Sequence, residues 1–310
     1  MYKTILVPLD GSELSEQALP LAKSIALGMN ARLLLLQAVH PVGLPHGPLT
    51  GHQIHAINEA EAYLAKIASD LLSDGIAADT AVMDASPAHA ILDEIKLRGI
   101  DLVVMTTHGR SGLGRWVYGS VAEAVLHGSS VPVLLVRCNT WLPEGVVEQT
   151  YPRFLVPLDG SEVAESAIPH AIWVAKQLGG TVYLLHVHEP PDLTKEDIVL
   201  RPDKTQEVLE HDRAVVEKYL DAVSERFKAE GINTHVLVRS GPVSQTILEE
   251  SWDLGVSLII MATHGRAGLS RMFFGSKAME ILHFGMLPVL LVRPGVPVTF
   301  EENEQELVHA

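Results

Sequence analysis

Two glycine-rich segments carry the residue types that bind phosphate groups. They run from 106 to 120 and from 262 to 276. Glycine lets a backbone approach a ligand closely, and each segment ends in Gly-Ser, where a following helix would direct unpaired N–H groups toward an anion. The pattern predicts a loop that binds a phosphorylated small molecule. The residues concerned are Gly109, Gly112, Gly114, Gly119 and Ser120 in the first segment and Gly265, Gly268, Gly275 and Ser276 in the second.

An acidic residue follows an apolar run in each half of the chain. Asp10 and Asp159 both lie in the sequence VPLDGSE, at 7–13 and 156–162. Ligands of open α/β sheets bind beyond the carboxyl ends of the strands. We therefore expect these aspartates to face the same ligand as the glycine-rich segments. The structural alternative is that each aspartate only caps the helix that follows it.

Three sequence blocks occur twice and in the same order. VPLDGSE returns after 149 residues, and THGR-x-GL (107–113 and 263–269) and PVLLVR (132–137 and 288–293) return after 156 residues. A repeat of about 150 residues has the size of a whole domain rather than of a solenoid unit. We predict a first domain at 1–138, a linker at 139–150, a second domain at 151–294 and an acidic tail at 295–310.

Apolar runs and helical periodicities alternate within each repeat. The predicted strands of the first repeat are 4–9, 32–39, 76–83, 101–105 and 131–136, and the predicted helices are 12–27, 53–73, 87–97 and 121–127. Continuous apolar strands that alternate with helices indicate a parallel sheet covered on both faces. Each domain is therefore predicted to be a five-stranded α/β unit.

The composition narrows the classes of partner. The chain has 47% hydrophobic and 20% charged residues and a formal net charge of −15. These proportions are typical of a folded globular protein, and the acidic balance argues against nucleic acid or an anionic membrane as a general partner. The single cysteine, Cys138, has no internal partner for a disulfide. We expect a cytoplasmic protein.

At these motifs the sequence resembles the universal stress protein family, in its tandem two-domain form. The resemblance rests on VPLDGSE, THGR-x-GL, Gly-x9-Gly-Ser and PVLLVR, each present twice. It implies two Rossmann-like domains, each with a five-stranded parallel sheet in the order 3-2-1-4-5 and helices on both faces. It also implies ATP binding, which many but not all members show, and pairing of the two domains through their last strands.

The family's ATP motif is Gly-x2-Gly-x9-Gly followed by Ser or Thr. Thr106 and Ala262 replace its first glycine, which weakens the match. The resemblance implies that Asp10 and Asp159 bind ribose or adenine or reach a bound Mg²⁺, and that Lys277, where the first half has Val121, adds a charge near the phosphates. The residues expected to bind nucleotide are Asp10, Ala38, Gly109, Arg110, Gly112, Gly119, Ser120 and Val121, with Asp159, Val187, Gly265, Arg266, Gly268, Gly275, Ser276 and Lys277.

Three functions are compatible with these residues. The first is a stress-response regulatory protein that binds ATP, with Mg²⁺, in one or both domains. The second is an interaction or scaffold protein with empty pockets, which the missing glycines favour and which would use the divergent loops 40–52 and 189–203. The third is a weak ATPase or adenylating enzyme. We also expect a homodimer, and we predict no catalytic residues and no dedicated metal site, although His40, His46, His52 and His55 lie close together in the sequence.

Overall fold

The computed structural model describes residues 2–39, 51–107, 119–137, 152–188, 202–263 and 275–295. Within these ranges the strands are β1 (Thr4–Pro8), β2 (Arg32–Ala38), β3 (Ala78–Met83), β4 (Leu102–Thr106), β5 (Val133–Val136), β6 (Arg153–Pro157), β7 (Thr181–His188), β8 (Thr234–Ser240), β9 (Leu258–Ala262) and β10 (Val289–Val292). The helices are α1 (Glu13–Glu16), α2 (Leu19–Met29), α3 (Gly51–Ser73), α4 (Pro87–Leu97), α5 (Ser120–Gly128), α6 (Glu162–Glu165), α7 (Ile168–Leu178), α8 (Pro202–Ala229), α9 (Val243–Asp253) and α10 (Ser276–Phe284).

Each half forms a parallel sheet with the same strand order. The first half has the order β3-β2-β1-β4-β5. The second half has the order β8-β7-β6-β9-β10, which is the same order for its own five strands. The predicted α/β fold with the order 3-2-1-4-5 is therefore confirmed. The order reverses between β1 and β4, and between β6 and β9, which are the places where this class of sheet binds ligands.

The two sheets join into one sheet through their last strands. β5 pairs with β10 in an antiparallel manner, with Leu134 opposite Leu290. The described strands consequently form a single ten-stranded sheet, with β3 and β8 at its outer edges. Each last strand, which would otherwise be an exposed apolar edge, gains a ladder of hydrogen bonds from the other half.

The core lies on both faces of this sheet, because successive side chains of a strand point to opposite sides. In β1, Ile5 and Val7 belong to the cluster packed under α2 and α3, whereas Leu6 belongs to the cluster packed under α4 and α5. Both clusters continue across the β5–β10 seam into the second half. The two halves thus share their hydrophobic core.

Helices α2 and α7 bring the halves together on one face of the sheet. Gly28 of α2 lies opposite Leu178 of α7, so close that a methyl group on Gly28 would meet the Leu178 side chain. Nearby, the hydroxyl of Tyr2 and Nδ1 of His170 are 2.6 Å apart in a buried hydrogen bond. The ring of Tyr2 also meets Trp173 edge-on, with the ring centroids 4.9 Å apart. These contacts are polar and aromatic as well as aliphatic.

The structure corrects one predicted helix. The predicted helix 12–27 is two helices, α1 and α2, and the matching segment of the second half is likewise divided into α6 and α7. Pro20 lies in the first turn of α2, and Pro169 lies in the first turn of α7. A proline has no N–H and its ring crowds the carbonyl four residues earlier, so a helix starts more readily near proline than it continues through it.

Some boundaries also differ from prediction. α3 begins at Gly51 and α8 at Pro202, within the segments predicted as loops. The predicted linker and all of the predicted tail beyond Gly295 lie outside the described residues. No helix within the described ranges has the length and apolar character that crossing a bilayer requires.

Candidate functional site

A cavity of about 210 Å³ opens at the carboxyl ends of β1, β2 and β4 in the first half. The first turns of α4 and α5 close it on the other side. The described residues that line it are Pro8, Leu9, Asp10, Ser15, Leu36, Ala38, Pro87, Ile91, Met105, Thr106, Thr107, Gly119, Ser120, Val121 and Ala122. The cavity therefore lies at the point of the sheet where the strand order reverses.

The walls of the cavity are mostly apolar and include a few polar residues. Leu36 and Ala38 come from β2, and Ile91 comes from the face of α4 that packs on the sheet. The polar part of the lining includes Asp10 and the start of α5 at Gly119. An apolar slot with a few convergent polar groups is typical of sites for small organic ligands.

The loop between β4 and α5 leaves the sheet and returns to it at one place. The N–H of Gly119 donates to the carbonyl of Thr107 over 2.7 Å, although eleven residues separate them in the chain. In the second half the N–H of Gly275 donates to the carbonyl of Thr263 over 2.8 Å. Both halves therefore hold the two ends of the glycine-rich loop together.

The helices that follow these loops begin without a side-chain cap. Gly119 is the N-cap of α5 and Gly275 is the N-cap of α10, and glycine has no side chain that could accept from the first helical N–H groups. In contrast, Ser12 caps α1 by accepting from the N–H of Ser15. The N-terminus of a helix that presents such donors attracts anions.

The aspartates after β1 and β6 do not cap the following helices directly. Oδ1 of Asp10 accepts from the N–H of Ser12 at 3.0 Å and from the Ser12 hydroxyl. Asp159 makes the same two contacts with Ser161, which caps α6. The serines are therefore the caps, and each aspartate fixes the serine in place at the edge of the site.

Five of the predicted residues lie around the cavity: Asp10, Ala38, Gly119, Ser120 and Val121. The matching residues of the second half occupy the same positions in the fold. Asp159 follows β6, Val187 lies in β7, and Gly275, Ser276 and Lys277 begin α10. The remaining predicted residues, Gly109, Arg110, Gly112, Gly265, Arg266 and Gly268, lie outside the described residues.

The sequence of this chain matches one family over most of its length. A model of the Universal stress protein family matches twice, at residues 1–137 and 150–293. The chain belongs to the universal stress protein family. The two matched segments follow the two halves of the fold, and the closing motif PVLLVR forms the strand at the seam in each of them.

Relatives of this universal stress protein include both tandem and single-domain chains. A universal stress protein of Mycolicibacterium smegmatis is 28% identical over 302 residues, which cover 94% of this chain and 97% of the relative. Universal stress protein YxiE of Bacillus subtilis is 32% identical over 148 residues and matches 44% of this chain and 100% of its own. The crystal structure of a universal stress protein from Archaeoglobus fulgidus superposes with a TM-score of 0.68 at 24% identity, covering 95% of this chain and 100% of that one.

Several residues of the site are not apparent from the sequence motifs. Ser15 lies in α1, and its Oγ accepts from the N–H of Asp10 at 3.2 Å. Pro87 and Ile91 reach the cavity from α4. The helical pattern places Ile91 on the buried face of α4, but the pattern alone does not show that this face ends at a cavity. Ala164 replaces Ser15 in the second half, so this universal stress protein does not repeat the Ser15 contact.

A tyrosine lies close to a glutamate beside the aspartate of each half. The hydroxyl of Tyr63 donates to Oε1 of Glu16 over 2.9 Å, linking α3 to α1. Burial, together with Glu16, raises the pKa of Tyr63 well above its usual range. Burial and Glu165 likewise raise the pKa of Tyr219 in the second half. Both tyrosines therefore stay neutral at physiological pH, but only Tyr63 has a hydrogen-bond partner, since the hydroxyl of Tyr219 finds none among the described residues.

Proposed function

We propose that this universal stress protein is a cytoplasmic regulatory protein that binds ATP, with Mg²⁺, in the first half and at the matching strand ends of the second half. One observation carries the proposal. The cavity joins an apolar slot, formed by β2 and α4, to the start of α5 at Gly119. A nucleotide has the same division into a flat organic base and a charged phosphate chain.

The lining residues fit the parts of such a ligand. The slot between Ala38 and Ile91 would hold the base, and Asp10 would accept hydrogen bonds from ribose. The N–H groups that follow Gly119 would hold phosphate oxygens. Within the described ranges no group of three or more acidic, histidine or cysteine side chains forms a metal site. Mg²⁺ usually binds through phosphates and water with one or two carboxylates, and Asp10 is the carboxylate among the described residues that line the cavity.

A second candidate is an interaction protein that keeps the fold without the ligand. The observation that favours it is Thr106, whose side chain lines the cavity at the position of the family motif's first glycine. Thr106 is the last residue of β4 and is 6% exposed, so its side chain adds bulk at a buried position that glycine would leave open. A ligand that needs the backbone at that point would be hindered.

Titration calorimetry of the nucleotide-free protein with ATP and Mg²⁺ tests the proposal. Gly119→Asp places a carboxylate at the start of α5 and should abolish binding in the first half by repelling phosphate. Gly119→Asn is the matched control, because it has nearly the same shape without the charge and both residues are favourable N-caps. Gly275→Asp and Gly275→Asn repeat the pair in the second half.

We expect two ATP sites in the unsubstituted chain. Gly119→Asp should abolish the first-half site and Gly275→Asp the second-half site, and the matching asparagine substitutions should weaken ATP binding less. Heat from one site only would assign ATP binding to one half. The absence of heat, with no competition by ADP or AMP, would contradict the proposal and favour the interaction protein.

A further inference from the structure

Two arginines cross the seam between the halves. Arg137 follows β5, and its Nη1 donates to the carbonyls of His283 and Gly285 at 2.9 and 2.6 Å. Arg293 follows β10, and its Nη1 donates to the carbonyls of His127 and Ser129, both at 3.1 Å. The two contacts are reciprocal, because each half contributes one arginine and supplies the carbonyls that accept from the arginine of the other half.

The carbonyls that accept from these arginines lie at the C-terminal ends of helices. His127 and Ser129 lie at the end of α5, and His283 and Gly285 lie at the end of α10. The last carbonyls of a helix have no partner within it, and a cation at that end interacts favourably with the helix dipole. Each arginine therefore caps a helix of the opposite half.

These helices are the ones that begin at the candidate sites. α5 has nine residues and spans about 13 Å from the cavity at its start to the Arg293 contact at its end. A helix of this length moves largely as one body, so a constraint on its end also fixes its start. Arg293 of the second half thus contacts the end of the helix whose first residues line the first-half cavity.

Each arginine is also attached to the site of its own half. Arg137 directly follows Val136, whose carbonyl accepts from the N–H of Thr107 at 2.9 Å, and Thr107 lines the cavity. Thr263 makes the same contact with Val292, which precedes Arg293. The contacts therefore run from one site through an arginine to the helix of the other.

We propose that Arg293 is a positioning residue for the first-half site and that Arg137 is a positioning residue for the second-half site. The proposal rests on the proposed nucleotide binding and adds that neither half binds its ligand independently of the other. Its distinctive consequence is a crossed effect. Removing Arg293, which belongs to the second half, weakens the first-half site, and removing Arg137, which belongs to the first half, weakens the second-half site.

The test isolates one site at a time. In the Gly275→Asp background, ATP heat reports the first half alone. Arg293→Ala should weaken binding there by roughly fivefold, the size of a modest coupling between sites. Arg137→Ala is the matched control, since it removes a contact of the same kind across the same seam, and it should change the affinity by less than about twofold. Arg293→Lys, which keeps the charge, should recover part of the loss.

Hydrogen exchange of the backbone amides gives a readout without nucleotide. The amide of Glu123, which donates to the carbonyl of Gly119 at the start of α5, should exchange faster in Arg293→Ala than in Arg137→Ala. The reverse should hold for the amide of Met279, which donates to Gly275 at the start of α10. A general loss of stability would affect both variants and both helices equally.

Three results would overturn the proposal. Equal effects of the two alanine variants on both helices and both affinities would show only a structural contact. An effect of Arg137→Ala confined to the first half would show a local role. If the unsubstituted chain binds no ATP while the exchange remains crossed, the nucleotide function has failed, and the role of the arginines in binding fails with it. The crossed exchange distinguishes that result from the other two.

Discussion

Glu94 in the first half pairs with Arg98, one turn along the same helix, whereas the matching Glu250 in the second half pairs with Arg239 from the neighbouring strand β8. Neither half has the arginine that the other uses. Met83 stands in the first half where the second has Arg239, and Leu254 stands in the second half where the first has Arg98. The glutamate has the same place in both halves. Its cationic partner reaches it from two different elements.

The backbone contacts of the two halves differ much less. Gly119 and Gly275 both close their loops onto a threonine carbonyl. Ser12 and Ser161 both cap the helix after the first strand. The comparison teaches that the two halves repeat the main-chain geometry at the site. The glutamate–arginine ion pair is also kept, but its arginine comes from a different element in each half.

The contact between the halves at α7 is not repeated in this way, since the second half alone supplies a histidine, which bonds to Tyr2 of the first half. His170 is 2% exposed, and its Nε2 finds no hydrogen-bond partner among the described residues. The matching residue of the first half is Leu21. The interface between the halves is therefore asymmetric at His170.

The largest effect that we predict concerns this histidine. Burial lowers the pKa of His170 to about 4, so the unfolded chain takes up a proton at a higher pH than the folded chain does. The contribution of neutral His170 to the free energy of unfolding is fully present above a pH of about 6.5 and is lost as the pH falls toward 4. We expect His170 to account for about 2 to 3 kcal/mol of lost stability between pH 7 and 4.5.

Urea unfolding at the two pH values measures this loss. The comparison variant combines His170→Leu with Tyr2→Phe, which gives the second half the leucine of the first and leaves no buried hydroxyl without its partner. Its stability should depend less on pH than that of the original chain. An unchanged pH dependence would show that His170 is not the group responsible.

An intermediate effect is expected for the relocated charge pair. Arg239→Met gives the second half the residue of the first and leaves the Glu250 carboxylate, which is 17% exposed, without its two-bond partner. We expect a loss of about 1 to 2 kcal/mol in the free energy of unfolding. Adding Leu254→Arg, the first-half arrangement, should recover part of it. A double variant no more stable than Arg239→Met would show that the two arrangements are not exchangeable.

The smallest effect is expected at the start of α10. Lys277 lies in its first turn, where α5 has Val121, and α5 has Glu123 where α10 has Met279. Lys277→Val should weaken ATP binding in the second half by roughly two- to fivefold at low salt, and the difference should shrink as salt screens the exposed charge. Calorimetry in the Gly119→Asp background measures it, with Lys277→Arg as the control. A salt-independent loss would indicate a packing effect instead.

The positions of the strands and of the site could be predicted from local patterns in the sequence, whereas the strand order 3-2-1-4-5 follows from the family resemblance. Repeated apolar runs locate the strands, and Asp10 and Gly119 come together because each lies at the carboxyl end of a strand. The division at Pro20 could also have been predicted, since the periodicity of apolar residues continues through a proline that the backbone of a single helix cannot accommodate well.

Other features depend on distances that no local pattern contains. The last residue of PVLLVR has the same sequence context in both halves, but its acceptors at the end of α5 or α10 lie 146 or more residues away in the chain. Those contacts exist only once β5 and β10 have a definite register. The arginine that pairs with Glu94 or Glu250 cannot be predicted from the sequence either, because a residue of the same helix or of a neighbouring strand can pair with the carboxylate.

The antiparallel seam is an arrangement in which the same strand of each half pairs with its counterpart, as in a symmetric dimer of single-domain chains. In such a dimer both subunits come from one gene, so every substitution appears on both sides of the contact. Joining the halves in one chain makes their association independent of protein concentration and also removes that constraint. His170 and Lys277 are present on one side only. Fusion thus allows the two halves to evolve separately while they continue to fold as partners.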